Sequence, residues 1–209
     1  MGVLPGVLRG GLPPARRRRG AVHAAARLSA ALARRSARGL LAACLLAGAA
    51  AASANDLFAL EPGLRPAGTG RLTWFGFQAY DARLWVGSGF SQAAFERSPF
   101  ALELAYLRAF TGPDIARRSL DEMRRAGPIA PEDAQRWQAA LQQLLPDVQP
   151  GDRILGLHRP GRGAAFAING TWAGEILDAR FARLFFGIWL APTTSEPKLR
   201  QALLAGTPP

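Results

Sequence analysis

DRILGLHRPGRGAAFAINGTWAGEI, residues 152–176, holds three short apolar runs separated by two turns. The runs lie at about 152–158, 164–168 and 171–176. Each is short enough for a strand and too short for a free helix. Pro160-Gly161-Arg162-Gly163 links the first two. Asn169-Gly170 links the last two and supplies the positive-φ pair that a two-residue hairpin needs. The stretch therefore predicts an antiparallel meander. Upstream, Thr111-Gly112-Pro113-Asp114 starts a helix that runs to about Arg125 and stops at Gly127-Pro128. A second helix begins at Pro131, with Trp137, Leu141 and Leu144 at helical spacing. Before them, Phe100 to Phe110 alternates like a strand. So does Thr69 to Val86, where Leu72, Trp74, Gly76 and Gln78 share one face and Thr73, Phe75, Phe77 and Ala79 the other. Gly76 marks a bulge or a close approach in that run, and a second strand is expected from about Tyr80 to Val86. Downstream, Asp178 to Leu190 reads as a helix with Phe181, Leu184, Phe185 and Ile188 on one face. Ser195 to Leu204 closes the chain as a capped helix. Strands, two helices, a meander and two more helices predict an α+β fold with an antiparallel sheet.

The 209 residues carry a formal charge of +11, but it is unevenly placed. Residues 1–54 hold nine arginines and no Asp or Glu, which leaves 17 basic against 15 acidic residues from Asn55 onward. The charge gives no reason to expect nucleic-acid binding by the folded part. Leu40 to Ala54 is uncharged, follows the arginines and ends Ala52-Ser53-Ala54. That pattern predicts a signal peptide, with removal near Ala54 and a periplasmic domain over 55–209. A spanning helix needs about 20 strongly apolar residues. This run is shorter and mostly Ala, so no stable membrane insertion is expected after cleavage. Leu41-Ala42-Ala43-Cys44 resembles a lipoprotein box, but Arg38 leaves almost no apolar segment before the cysteine. Arg34-Arg35 is not followed by the Phe-Leu of a twin-arginine signal. The arginine-rich region is long, and translation could start further down, at Val22 or Leu28.

Beyond the leader the chain has no cysteine and one histidine, His158. A structural or catalytic zinc site needs several such ligands, so no metal and no cofactor are expected. The sequence has no nucleophile elbow, no phosphate loop and no dinucleotide fingerprint. Gly161-Arg162-Gly163 is a turn, and His158 reads as a hydrogen-bonded residue near a strand end. Asp121, Glu122, Glu132 and Asp133 read as a solvated helix face, and Trp74, Trp85 and Trp137 as core. Arg71 is the informative charge. It sits among Leu72, Trp74 and Phe75, where a guanidinium must be paired or must snorkel.

Four blocks in this order carry a family resemblance: GRLTWFGFQAYDARLW (70–85), ALELAYLRAFTGPDIARRSLDEM (101–123), PGDRILGL (150–157) and FGIWLAPTTSEPKLRQALL (186–204). Over about residues 67–205 the chain resembles the chalcone isomerase-like family, and more narrowly its bacterial secreted branch. The resemblance implies an open-faced β-sandwich, a large antiparallel sheet covered by helices with a ligand cleft between. The family includes isomerases that close a chalcone into a flavanone, fatty-acid-binding members, and members without known activity. Its enzymes use an Arg and a Thr on the sheet, a Tyr and an Asn on the first helix, and a Ser or Thr on a later helix. The resemblance puts Ile115 at the Tyr, Glu122 at the Asn and Gly187 at the Ser or Thr. Tyr80 falls near the sheet Thr, and Arg71 is the nearest Arg.

No catalytic residue is therefore expected. The expected site is the polar end of an apolar cleft, with Arg71 and Tyr80 receiving a small apolar carboxylate such as a fatty acid. Two other readings stand beside it. One is an isomerase or intramolecular lyase acting on a chalcone or an unknown substrate. The other is a periplasmic partner protein whose cleft is vestigial.

Overall fold

The computed structural model describes residues 59–209 apart from Phe75. The leader, with Cys44 and Arg34-Arg35, lies outside the described residues. Six strands form one sheet in chain order, every neighbouring pair antiparallel. They are β1 (Arg65–Trp74), β2 (Phe77–Val86), β3 (Phe100–Tyr106), β4 (Arg153–Arg159), β5 (Gly163–Ile168) and β6 (Thr171–Ile176). Two helices follow β3 and two follow β6: α1 (Gly112–Ala126), α2 (Pro131–Leu144), α3 (Ala179–Leu190) and α4 (Pro197–Leu203). The meander turns as its sequence requires, since Asn169 and Gly170 have φ of 49° and 82°, both left-handed.

Strand alternation sorts the side chains onto two unlike faces. Tyr80, Leu84, Phe100, Leu102 and Phe166 point to the covered face and join the main core. Helix α1 meets them with Ala116, Leu120 and Met123, and α3 with Phe181, Leu184 and Phe186. The buried positions 116, 119, 120 and 123 of α1 follow one helical stripe, so this helix lies on the sheet with its other side in water. Helix α3 is buried nearly all round, because the sheet lies beneath it and α1 beside it. The outer face carries Ala101, Leu155, Leu157, Ala165 and Ala167 with Trp85 and Leu64, a second and smaller apolar cluster.

Helix ends are closed by side chains from both near and far. Thr111 accepts from the Asp114 amide at 3.2 Å, and Asp147 accepts from the Gly112 amide at 2.8 Å. Asp178 accepts from the Phe181 amide at 2.9 Å and so starts α3. Its second carboxylate oxygen takes the Trp137 indole N–H at 2.9 Å and Arg136 at 3.0 Å, tying α2 to α3.

Three expectations change. The strand over Thr69 to about Ala79 is in fact a hairpin: β1 ends at Trp74, β2 starts at Phe77, and Trp74 pairs with Phe77. Gly76 allows this turn through its φ of 78°. Register also shifts between Leu72 and Thr73, which rephases the faces so that Gln78 lies on the side of Arg71. Trp74 is not core; it is half exposed at the hairpin tip, whereas Trp137 is fully buried. Glu122 and Asp133 are mostly buried ion-pair partners rather than solvated, each held by two arginines.

Candidate functional site

The fold brings together one polar corner between the sheet and the helices, at the end where β2 begins and β3 ends. Tyr80 stands on β2 opposite Tyr106 of β3, with ring centroids 5.9 Å apart in an edge-to-face arrangement. Trp189 reaches down from α3 and donates its indole N–H to the Tyr80 hydroxyl at 3.0 Å. Leu72 pairs with Tyr80 across the hairpin, and Leu72 and Ile115 both pack, partly buried, against the main core. On α1, Arg118 donates to Glu122 at 2.7 Å, and Arg125 approaches the same carboxylate at 3.7 Å. Ile115, Arg118 and Glu122 lie three and four residues apart and so share a helix face.

Burial pushes the Tyr80 hydroxyl well above the ordinary tyrosine range. The Trp189 hydrogen bond opposes this, the Glu196 and Glu122 carboxylates add to the rise, and Arg118 opposes it least, so burial prevails. Tyr106 is raised too, by burial and then by Tyr80. Both phenols are therefore neutral. Tyr80 accepts one hydrogen bond and keeps its own O–H to give. Such a group can orient a polar ligand atom, but it cannot serve as a phenolate base near neutral pH.

Arg71 and Tyr80 do not form one site. Arg71 pairs with Asp81 across β1 and β2, while Leu72 pairs with Tyr80, so the two residues project from opposite faces. The Arg71 guanidinium donates to both oxygens of Asp81, at 2.5 and 2.8 Å, and to Gln78 at 2.9 Å. The two side chains are 45% and 37% exposed. Hydrogen bonding to Arg71 holds the Asp81 carboxyl below its usual range. A depression lies here on the outer face, lined by Thr69, Arg71, Asp81, Arg83 and Trp85 among others. Of its two arginines, Arg71 is already neutralised by Asp81. With the turn placed at Gly76, alternation alone would have set Arg71 opposite Tyr80; the register shift between Leu72 and Thr73 is what moves Arg71 to the face of Asp81.

The residues missed are Arg118 and Trp189. Arg118, not Arg71, is the arginine whose charge reaches the Tyr80 hydroxyl, and its effect is the weakest of those acting there. Its signal in the sequence is its place three residues after Ile115. Trp189 carried no such signal, because its role depends on how α3 lies over the sheet. Gly187 faces α1: a Cβ there would make ordinary contact with the Ala126 Cβ at 3.4 Å. Among the described residues, no group of three or more His, Cys, Asp or Glu is placed to hold a metal ion.

Comparison with known proteins agrees with this architecture. Residues 63–205 match the sequence model of the family described as chalcone isomerase-like. An uncharacterized protein of Haemophilus influenzae is 31% identical over 143 residues, 68% of this chain and 69% of that protein. The crystal structure of a fatty-acid binding protein from Arabidopsis thaliana superposes with a TM-score of 0.56 at 11% identity, covering 69% of this chain and 88% of that one. At that identity the likeness concerns the fold. The family match and the six-stranded sheet under its helices together lead to one conclusion: the chain belongs to the chalcone isomerase-like family.

Proposed function

We propose that the protein binds a small apolar ligand, in the first instance a fatty acid, between the sheet and helices α1 and α3, and that it does not isomerise chalcones. The observation that carries this reading is the Tyr80 hydroxyl. It sits at the sheet–helix interface, accepts from Trp189, and among the described residues has no acceptor for its own hydrogen. A ligand carboxylate would take that hydrogen and meet Arg118 on α1 in place of Glu122. The likeness in fold to a fatty-acid binding protein supports the ligand class. Each buried methylene contributes about 0.8 kcal/mol, so ten offer about 8 kcal/mol against an association cost of similar order. The two nearly cancel, so net affinity rests on the carboxylate's pairing with Tyr80 and Arg118. At a ligand concentration about 100 times Kd the stabilisation is about 2.7 kcal/mol, a rise of about 5–10 °C in Tm for a domain of this size. A panel of medium- and long-chain fatty acids tests this by thermal shift, with Tyr80→Phe and Arg118→Ala expected to lose most of the rise. No shift across the panel sinks the reading.

A second reading is favoured by the same contact. The Tyr80–Trp189 bond fills the corner from within, as it would in a partner protein with a vestigial cleft. Absence of any ligand effect, with specific capture of another periplasmic protein, selects that reading. Both readings place the protein in the periplasm. The arginine-rich start and the uncharged run from Leu40 to Ala54 support that location. N-terminal sequencing of the exported protein is expected to begin at Asn55, and an acylated Cys44 at the N-terminus would overturn it.

A further inference from the structure

The β1–β2 hairpin ends in aromatic side chains that the core does not use. Trp74 and Phe77 form its last pair and are 48% and 59% exposed. A Cβ on Gly76, between them, would meet nothing within 4 Å. The Arg108 guanidinium lies 4.5 Å from the Phe77 ring centre, and that of Arg118 lies 5.6 Å from Trp74. Arg108 makes no ion pair among the described residues. Arg118 has to share Glu122 with Arg125. The nearby Arg71 and Arg117 are matched by Asp81 and Asp114. Asp152, on the turn before β4, has its carboxylate engaged by the Gln149 amide and by Asn169. The arginines that flank the two rings therefore outnumber their carboxylate partners.

Size decides what such a tip can meet. Two large aromatic side chains bury about 300–500 Å² at most. A stable protein–protein interface buries about 1,200–2,000 Å². The tip is too small for that, yet Trp and Phe beside arginine is the composition of segments that settle in the headgroup layer of a bilayer. We propose that the β1–β2 hairpin tip docks the protein on an anionic membrane surface, with Trp74 and Phe77 entering the headgroup layer and Arg108 and Arg118 meeting lipid phosphates. The docking is superficial. No described helix is long and apolar enough to cross a membrane. It shares Arg118 with the ligand reading, but Trp74, Phe77 and Arg108 take no part in the Tyr80–Trp189 contact, so variants at those three residues test it separately.

The test is co-sedimentation of the purified protein with vesicles of phosphatidylglycerol and phosphatidylcholine in equal parts, against pure phosphatidylcholine. The protein is expected to bind the anionic vesicles, and W74A/F77A to bind them about tenfold or more weakly. Arg108→Gln should weaken anionic binding about fivefold and leave the residual binding to phosphatidylcholine unchanged. Lipids brominated in the upper acyl chain should quench tryptophan fluorescence in the unaltered protein and not in Trp74→Phe. That measurement holds even if the double variant folds poorly. Equal binding by W74A/F77A, no quenching, or no binding to either vesicle overturns the proposal. So does a self-associating protein that W74A/F77A renders monomeric without any vesicle binding, because the tip is then a contact between copies of the chain.

Discussion

Asp178 joins two helices through a single carboxylate. It is drawn from three directions: the Phe181 amide, the Trp137 indole and the Arg136 guanidinium. Burial alone would raise its carboxyl pKa. The hydrogen bonds outweigh that and leave it below the ordinary range. A depressed carboxyl contributes stability that is complete above the unfolded value of about 4 and is lost as pH falls through the folded one. Acid unfolding should therefore involve this residue, and Asp178→Ala should flatten the stability profile below about pH 4. At neutral pH the same change removes a helix cap and strands a buried indole N–H, for a loss of about 2–4 kcal/mol. Asp178→Asn keeps a capping oxygen and should cost less. Urea titration at several pH values measures both effects, and equal stability of Asp178→Ala and the unaltered protein would refute them. The contrast with Arg71 is instructive. Arg71 is also paired with an aspartate, but that pair is on the surface, where it ties two adjacent strands and connects nothing else.

The elements show how glycine sets distances. Edge strand β1 is covered by α4, and a Cβ on Gly68 would run into the carbonyl oxygens of Ala202 and Leu203. A Cβ on Gly70 would press on Leu199 at 2.6 Å. Helix α4 can thus lie against the backbone of β1, and the tail beyond it adds a hydrogen bond from the Gly206 amide to the Ala67 carbonyl at 3.0 Å. Gly68→Ala is expected to lift α4 from the strand and cost about 2–3 kcal/mol, since the obstacle is backbone that cannot rotate away. Thr69→Ala, on the exposed side of the same strand, should cost under about 0.5 kcal/mol. Denaturant midpoints for the two variants decide the matter, and equal midpoints would remove this account of α4. The three strands of the meander and all four helices were legible because each carries its own period and its own stop signals. The β1–β2 hairpin was misplaced because TWFGFQ is apolar on both alternating faces, so periodicity could not locate the turn.

At the scale of the molecule, the isomerase geometry implied by the family is incomplete. Ile115 offers no hydroxyl, Glu122 is a carboxylate held by two arginines, Gly187 has no side chain, and Arg71 projects from the outer face. An anionic Glu122 beside the corner would oppose a phenolate substrate rather than bind it. The protein is expected to give no acceleration of chalcone closure to flavanone over the buffer rate, monitored by loss of chalcone absorbance. Turnover that disappears with Tyr80→Phe would show that the corner is catalytic without the missing groups.

The sequence by itself determined what depends on neighbours along the chain. Asn169-Gly170 dictates its turn, Thr111 and Asp178 dictate helix starts, and the stripe at 116, 119, 120 and 123 dictates which side of α1 is buried. These are local because backbone dihedrals and side-chain period act over a few residues. Only the tertiary structure decided which polar groups meet. Tyr80 and Trp189 are 109 residues apart, and they touch because α3, packed on β5, carries Trp189 near its C-terminal end to the Tyr80 hydroxyl. Arg71 and Tyr80 are nine positions apart and never meet, because the sheet lies between them. A functional corner is a matter of faces and crossings, and those are fixed by how whole elements bury their apolar sides against one another.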